Sequence, residues 1–481
     1  MRNLLSFIAV WGLICIAPSA NAQFTPTPPL PANIESLLKA DTTLRVEVTE
    51  WLVTGNKKTK SYIIEREMLI RNGDTIELKK LHALLDESRR LVYNTALFTA
   101  VDITPVLLEN NQLSIVVTVQ EKWYIYPLPN LQLADRNFNE WWNTYNADFS
   151  RLIYGVRFLH YNTSGRRDPL SITLNAGYTR NISIQYASPY SNRSLTEGFS
   201  LIASYSDNRE TIVSTSDNNK LQLFKTDNFS RKNFVFGANY MRRNGFYFRH
   251  QIGATINYTA VDDSVVILNP RFFNTEKTSI WYPDFTYKLQ FLKVDNVNYP
   301  LDGLSFSVGV LKRGFGFTGG MNMTALDFTV NRYKPHGNHW YSAVTVAGQL
   351  KAPFRLSYLN NRAFGYKEYY IRGLEYYAID GPVSALAKYT LKKKIAQFNI
   401  PVPFKNIIAN RVPFQIFAKV YGDAGVSYNT PETETRLNNR FLYSSGVGLD
   451  ILSLYDMSLR LEYSFNQLGE NGLFLHITGA F

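Results

Sequence analysis

Gly314, Gly316 and Gly319 match GxGxxG, a spacing that can bring backbone N–H groups against the phosphates of a nucleotide. That chemistry needs a strand before the glycines and a helix after them. Here the segment Gly314-Phe315-Gly316-Phe317-Thr318-Gly319-Gly320 lies between strand-like runs with no helical periodicity behind it, so it reads as a bend or loop. Six histidines are dispersed without metal-ligand spacing, and neither HExxH nor GxSxG occurs. No catalytic, cofactor-binding or metal-binding residue is assigned, and the chain is expected not to be an enzyme. Triplets such as Asn228-Phe229-Ser230 follow from a polar, Asn-rich chain.

The chemistry that remains is ionic and structural, and the elements decide where it sits. Arg2, the apolar stretch Leu4 to Ala17 and the small-x-small triplet Ala20-Asn21-Ala22 form an export signal, residues 1–22, too short to span a bilayer as a helix. The only cysteine, Cys15, lies inside it, so the exported chain is expected to have no thiol or disulfide. Residues 23–43, rich in Pro and Thr, read as a flexible leader. The net charge of +12 comes from scattered basic residues, as for solvated loops and a polar interior. Nucleic acid is excluded as a partner by export.

Residues 44–122 form a compact segment. Val46 to Val53 reads as a strand ended by Gly55-Asn56. Lys60 to Ile70, with Ile63, Ile64, Met68 and Leu69, and Leu78 to Asn94, with Leu81, Leu84, Leu85 and Leu91, read as helices. Phe98 to Leu108 and Leu113 to Val119 are strands about Asn110-Asn111, giving a small α+β domain of order βααββ.

From Trp123 the helical period vanishes and alternating runs recur. Phe414, Ile416, Ala418, Val420 alternate with Gln415, Lys419 and Asp423 further along. Met457, Leu459, Leu461, Tyr463 and Phe465 alternate with Ser458, Arg460, Glu462 and Ser464. Apolar and aromatic side chains on one face with charge on the other, in a chain with no spanning helix, is the pattern of a transmembrane barrel. The 359 residues from Trp123 to Phe481, at roughly 22 per strand and loop, give about 16 antiparallel strands. The fold class is therefore mostly β: a transmembrane β-barrel, residues 123–481, behind one small domain. Tight turns are visible at Arg242 to Gly245 and near Tyr455-Asp456.

These residues resemble a known family. The small domain is similar to a polypeptide-transport-associated (POTRA) domain, and the barrel to the surface-antigen/BamA–TamA superfamily. Ile371-Arg372-Gly373-Leu374 is similar to the family's Val/Ile-Arg-Gly-Phe/Tyr motif in the sixth extracellular loop, with Leu at the last place. Tyr421-Gly422-Asp423-Ala424-Gly425 is similar to its Asp-x-Gly run in the strand after next, and alternation separately puts Asp423 on the charged face. Phe481 ends the chain on an alternating strand, as in substrates of the assembly machinery. The resemblance implies that the loop folds into the lumen and Arg372 bonds an inner-wall acid, Asp423 with Gly425 beside it. Two departures stand out: Thr390 ahead of Lys392 where the family often has glutamate, and a single POTRA domain.

The resemblance also implies function. The chain would sit in the outer membrane of a Gram-negative bacterium with its POTRA domain in the periplasm. It would act as an assembly or translocation factor for unfolded outer-membrane or secreted polypeptides, with lipid around it and periplasmic chaperones or lipoproteins as further partners. A lateral seam between the first strand, Tyr124 to Ala134, and the last, Gly472 to Phe481, would open. Pro127 and Pro129 cannot donate ladder hydrogen bonds, and Gly472 and Gly479 pack poorly in a strand. Phe98 to Leu108, where Pro105 is tolerated best at an edge, would be the POTRA edge strand that pairs with substrate. Other readings are a protein-secretion pore, a structural surface antigen, and a lipolytic barrel that would need a serine and a histidine paired at its outer rim.

Overall fold

The computed structural model describes residues 29–41, 43–134, 146–316, 321–366, 369–401, 411–453 and 457–478. The export signal, Tyr455-Asp456, part of the glycine-rich segment, Gly479 and Phe481 lie outside these residues.

The small domain opens with α1 (Ala32–Ala40), inside the stretch 23–43 that reads as a flexible leader from its sequence. Ile34, Leu37 and Leu38 share one helical face and pack on the core beyond, so helical spacing outweighs the Pro-rich composition before it. The elements β1 (Arg45–Thr54), α2 (Ser61–Glu65), β2 (Thr75–Glu77), α3 (Leu78–Tyr93), β3 (Phe98–Leu107) and β4 (Gln112–Glu121) follow. The expected helix Lys60 to Ile70 is thus only α2. Beyond it Glu67, Met68 and Ile70 are buried from turns that lead into β2, a strand too short to leave a periodic signal. The sheet order β2-β1-β4-β3 leaves β3 at the edge. Leu78, Leu81, Leu85 and Val92 of α3 pack with Val46, Val48, Ile103, Ile115 and Val117 of the sheet.

The barrel strands in chain order are β5 (Ile125–Leu133), β6 (Leu152–His160), β7 (Leu170–Gly177), β8 (Thr179–Ser188) and β9 (Glu197–Asn208). An outer hairpin, β10 (Glu210–Thr215) with β11 (Leu221–Lys225), precedes β12 (Arg231–Asn244) and β13 (Phe248–Val261). After the short helix α4 (Asp263–Leu268) come β14 (Ser279–Val294), β15 (Gly303–Arg313), β16 (Met323–Pro335) and β17 (Trp340–Ala352). The long sixth outer loop holds β18 (Arg362–Phe364) and β19 (Ile379–Asp380). The wall closes with β20 (Val383–Pro401), β21 (Arg411–Tyr428), β22 (Phe441–Leu452), β23 (Ser458–Asn466) and β24 (Asn471–Thr478).

Sixteen of these strands form one antiparallel sheet in the order of the chain, running from β5 to β24. Strand length is uneven: 8 to 10 residues in β5 to β8, β23 and β24, but 16 in β14, 19 in β20 and 18 in β21. Along β23, Tyr463 and Phe465 face outward and exposed while Ser458, Glu462 and Ser464 are buried inward. Tyr389, Val420 and Leu473 continue the outward apolar surface, which is the surface that bilayer hydrocarbon solvates. The inner face is not purely polar. Phe417 and Tyr421 of β21 are buried there between the charged positions, an exception to the alternation. The outer mouth is covered by loops tied at one residue. Asn219, between β10 and β11, donates to the Ala378 carbonyl (3.0 Å) and the Thr435 hydroxyl (2.7 Å).

Candidate functional site

The sixth outer loop, residues 353–382, turns back into the barrel and lies on the inner wall of β20 to β24. Its tip is the tight turn Ile371 to Leu374, closed by the Leu374 N–H on the Ile371 carbonyl at 3.1 Å. Ile371 and Leu374 are buried with Phe364, Tyr369 and Leu386, an apolar socket that leucine fills in place of an aromatic ring. Gly373 has φ +82°, a left-handed position that a Cβ disfavours. A Cβ there would also lie 2.8 Å from the Ser464 Cβ. Gly425 leaves room for Ile371 in the same way, since a Cβ would lie 2.8 Å from the Ile371 Cδ1. Gly373→Ala is expected to destabilise the docked loop by about 1–2 kcal/mol, read as a lower temperature for loss of the compact band in heat-modified electrophoresis. An unchanged temperature would mean that the loop is not held at this turn.

The turn aims Arg372 at Asp423. The guanidinium Nη2 and Nε donate to the carboxylate at 2.5 and 2.9 Å, and the Arg372 backbone N–H donates to it at 3.0 Å. The remaining donors reach the Thr390 hydroxyl (3.1 Å) and the Tyr389 carbonyl (3.4 Å). The Tyr421 ring lies beneath the guanidinium, 3.9 Å from its centroid. Thr390 thus accepts a bond where the family often has an acid, and a second carboxylate arrives from elsewhere: Glu462 on β23, 3.6 Å from Arg372 Nη1. Both members of the central pair are buried, where the attraction is strong and the loss of hydration large.

The pair belongs to a wider lattice. Lys419 bridges Asp450 (2.5 Å) and Glu462 (2.6 Å). Tyr299, from the inner turn between β14 and β15, crosses the lumen to donate to Asp450 at 2.7 Å. The loop also grips the last strand. Glu375 meets His476 at 3.1 Å, Tyr370 stacks on that imidazole, and Tyr376 packs on Phe474. Asn466 donates to the Gly373 carbonyl at 2.9 Å. Glu375, Glu462 and His476 could present ligand atoms within 4.8 Å of one another. However, Lys419 and Arg372 already neutralise Glu462, so the group is a hydrogen-bonded bracket rather than a metal centre.

The small domain is clamped to the inner rim. Glu67 takes both amino groups of Arg243 at 2.5 and 2.6 Å, and Tyr190 and Arg66 complete the cluster. Burial alone would lift the Glu67 carboxyl, and the Arg243 guanidinium outweighs it and holds the group below the usual carboxylate range. Asn94 stitches the end of α3 to the turn after β14 through the Val294 carbonyl (2.8 Å) and the Val297 N–H (3.1 Å). Sequence reasoning found Ile371 to Leu374, Asp423 and Gly425, which the structure brings together. It missed Glu462, Tyr421, Tyr299 and the Glu67 clamp. Glu462 was visible only as a member of a charged strand face and Tyr421 only as a motif neighbour two positions before Asp423, whereas Tyr299 and the Glu67 clamp needed the barrel's curvature.

At the seam, the Tyr124 carbonyl accepts from the Tyr161 N–H and the Ala134 N–H donates to Arg151. In an extended strand this sets every even residue of β5 toward β6 and every odd one toward the opposite edge. Pro127 and Pro129 therefore remove two N–H donors from the edge that faces away from β6. The Trp123 indole occupies the Ile125 carbonyl on that same edge. Among the described residues, ladders join each consecutive pair of barrel strands and none joins β5 to β24. Gly472 lies near the start of β24 and Phe98 and Pro105 lie in the edge strand β3.

A small α+β domain docked beneath a 16-stranded barrel whose outer loop fills its own lumen defines the POTRA–barrel class of fold. Residues 46–122 match the POTRA family, described as surface antigen variable number repeat. The fold is shared with BamA from Haemophilus ducreyi lacking POTRA domains 1–3, at TM-score 0.50 and 13% identity over 90% of this chain and 84% of that one. It is shared also with CdiB from Escherichia coli, at TM-score 0.54 and 10% identity over 91% of this chain and 76% of that one. No curated protein matches the chain significantly.

Proposed function

We propose that this protein is an outer-membrane factor that inserts or translocates polypeptides, working through a lateral opening between β5 and β24 with its POTRA domain in the periplasm. The observation that carries this reading is the contrast between lumen and seam. A path through the lumen would have to dislodge Arg372 from Asp423, Tyr299 from Asp450 and the apolar socket around Ile371. Parting β5 from β24 leaves all of these intact, and the β5 edge has already lost two donors to proline. Each ladder bond is worth about 0.5–1.5 kcal/mol net, so a seam with few of them opens most readily. The exposed edges of β5 and of β3 then template a substrate strand by β-augmentation. Substrates are unfolded outer-membrane or secreted polypeptides, and lipid, periplasmic chaperones or lipoproteins complete the partners. No step calls for a catalytic residue.

A second reading, a secretion pore, draws on the shared fold with CdiB. One experiment separates them, because Cys15 is the chain's only cysteine. A cysteine pair across β5 and β24 locks the seam, and a second pair at Tyr376 and Phe474, joined by a short crosslinker, locks the loop. The expected result is that seam locking stops maturation of outer-membrane proteins, that reductant restores it, and that loop locking is tolerated. Normal maturation with a locked seam would remove the lateral reading, and a block by loop locking alone would establish the pore.

A further inference from the structure

A cleft of about 360 Å³ lies between the POTRA domain and the inner mouth of the barrel. Its walls include Leu97, Tyr161, Pro169 and Met241, and its charged members are Arg167, Arg242, Arg243 and Arg249, with His250 beside them. Arg243 and Arg249 stand directly opposite each other across the β12–β13 ladder, an arrangement that like charges disfavour. The imbalance extends further. Arg66, Arg167, Arg243 and Arg249 gather around a single carboxylate, Glu67. Arg243 takes both oxygens of that carboxylate and Arg66 shares one. Among the described residues Arg167 donates only to neutral groups, the Tyr190 hydroxyl (3.1 Å) and the Asn94 carbonyl (3.4 Å). Arg249 has no carboxylate partner among the described residues. The guanidinium forks of Arg167 and Arg249 thus border an apolar cleft without an ion pair of their own among the described residues, Glu67 being engaged by Arg243 and Arg66, and such forks match a carboxylate's geometry.

We propose that this cleft binds a carboxylate carried next to an apolar side chain on an unfolded polypeptide, with Arg249 and Arg167 holding the anion and Leu97, Tyr161 and Met241 receiving the apolar group. The proposal rests on the reading that the protein handles polypeptides. Position favours a peptide over a lipid. Met241, Arg249 and Gln251 alternate with Tyr240 and Ile252, which are exposed on the outer wall, so this wall of the cleft faces the lumen, and only Arg242 and His250 of the outward set border it. The site would be the first point of contact between an arriving chain and the barrel, ahead of any pairing with β5.

The test uses the full-length protein in detergent and a fluorescent, end-capped peptide containing Phe-Glu, followed by anisotropy. Exchanging the peptide's Glu for Gln is expected to weaken binding at least about ten-fold, close to the 1.4 kcal/mol that a tenfold change represents. Arg249→Gln should give a similar loss with an unchanged heat-modified band, since among the described residues Arg249 makes no hydrogen bond to Glu67 and feels it only through space. Gln251→Glu, which brings a carboxylate to the arginines from within, should also weaken binding. A peptide without acidic residues, ending in Phe as the free acid or the amide, shows whether a terminal carboxylate serves as well. If neither an internal nor a terminal carboxylate binds better than its amide, or if Arg249→Gln binds like the parent, the proposal falls. Seam locking reports separately. Peptide failure with seam-dependent maturation removes the cleft alone, while peptide binding with seam-independent maturation removes the lateral opening alone.

Discussion

Asp423→Ala is expected to be among the most damaging single substitutions in the barrel. It takes the acceptor from three N–H donors of Arg372, four hydrogen bonds in all, and leaves a buried guanidinium with Glu462 at 3.6 Å as its nearest carboxylate. Removing one partner of such a pair costs about 3–5 kcal/mol, enough to release the loop. The heat-modified band should shift at a much lower temperature, and protease should reach residues 369–378. Arg372→Ala should do the same. The double variant should lose less than the sum of the two, because an empty pair leaves no orphaned charge. Strict additivity would mean that the two side chains do not act together.

Glu67→Gln is expected to undock the POTRA domain. The neutral amide leaves Arg243 buried without its counter-charge, again a loss of about 3–5 kcal/mol, here spent on one interface. Hydrogen exchange should rise in the turn 244–247 and around Asn94 while the barrel strands stay protected. Unchanged exchange at both places would remove the clamp. The parent protein should show a related dependence on pH. Glu67 is held below the usual carboxylate range when docked, so its contribution is complete above the undocked value near 4.3. It then fades as acid carries the pH through the lower, docked value.

The parts of this molecule that obey a period were legible from sequence, and the parts that depend on crossing the barrel were not. The length of the barrel segment gave the count of about 16 strands, and strand alternation gave the inward face of Asp423 and Glu462, because a bilayer punishes the opposite arrangement. The leucine spacing of α3 gave that helix nearly to the residue. The leader misled because prolines mask a nine-residue helix whose apolar face, Ile34 with Leu37 and Leu38, spans only two turns. Lys60 to Ile70 misled because Met68 and Ile70 are buried from turns, where burial has no period. Arg372 and Asp423 could be paired through a motif. Tyr299 and Asp450 lie 151 positions apart with no motif to join them, and only closure of the wall makes them neighbours. Glu67 and Arg243 are separated by 176 positions and belong to different domains.

The unequal strands have a consequence for the surrounding lipid. At about 3.4 Å per residue and a tilt near 40°, strands of nine residues such as β6 and β23 rise only about 23 Å. The 19-residue β20 rises about twice as far. A bilayer's hydrocarbon is about 30 Å thick. A barrel seated in such a bilayer would draw its two leaflets together beside the low wall and leave them at full depth beside the high wall. In the outer-membrane setting proposed above, the hydrocarbon would be thinnest beside the short strands β5 to β8, β23 and β24.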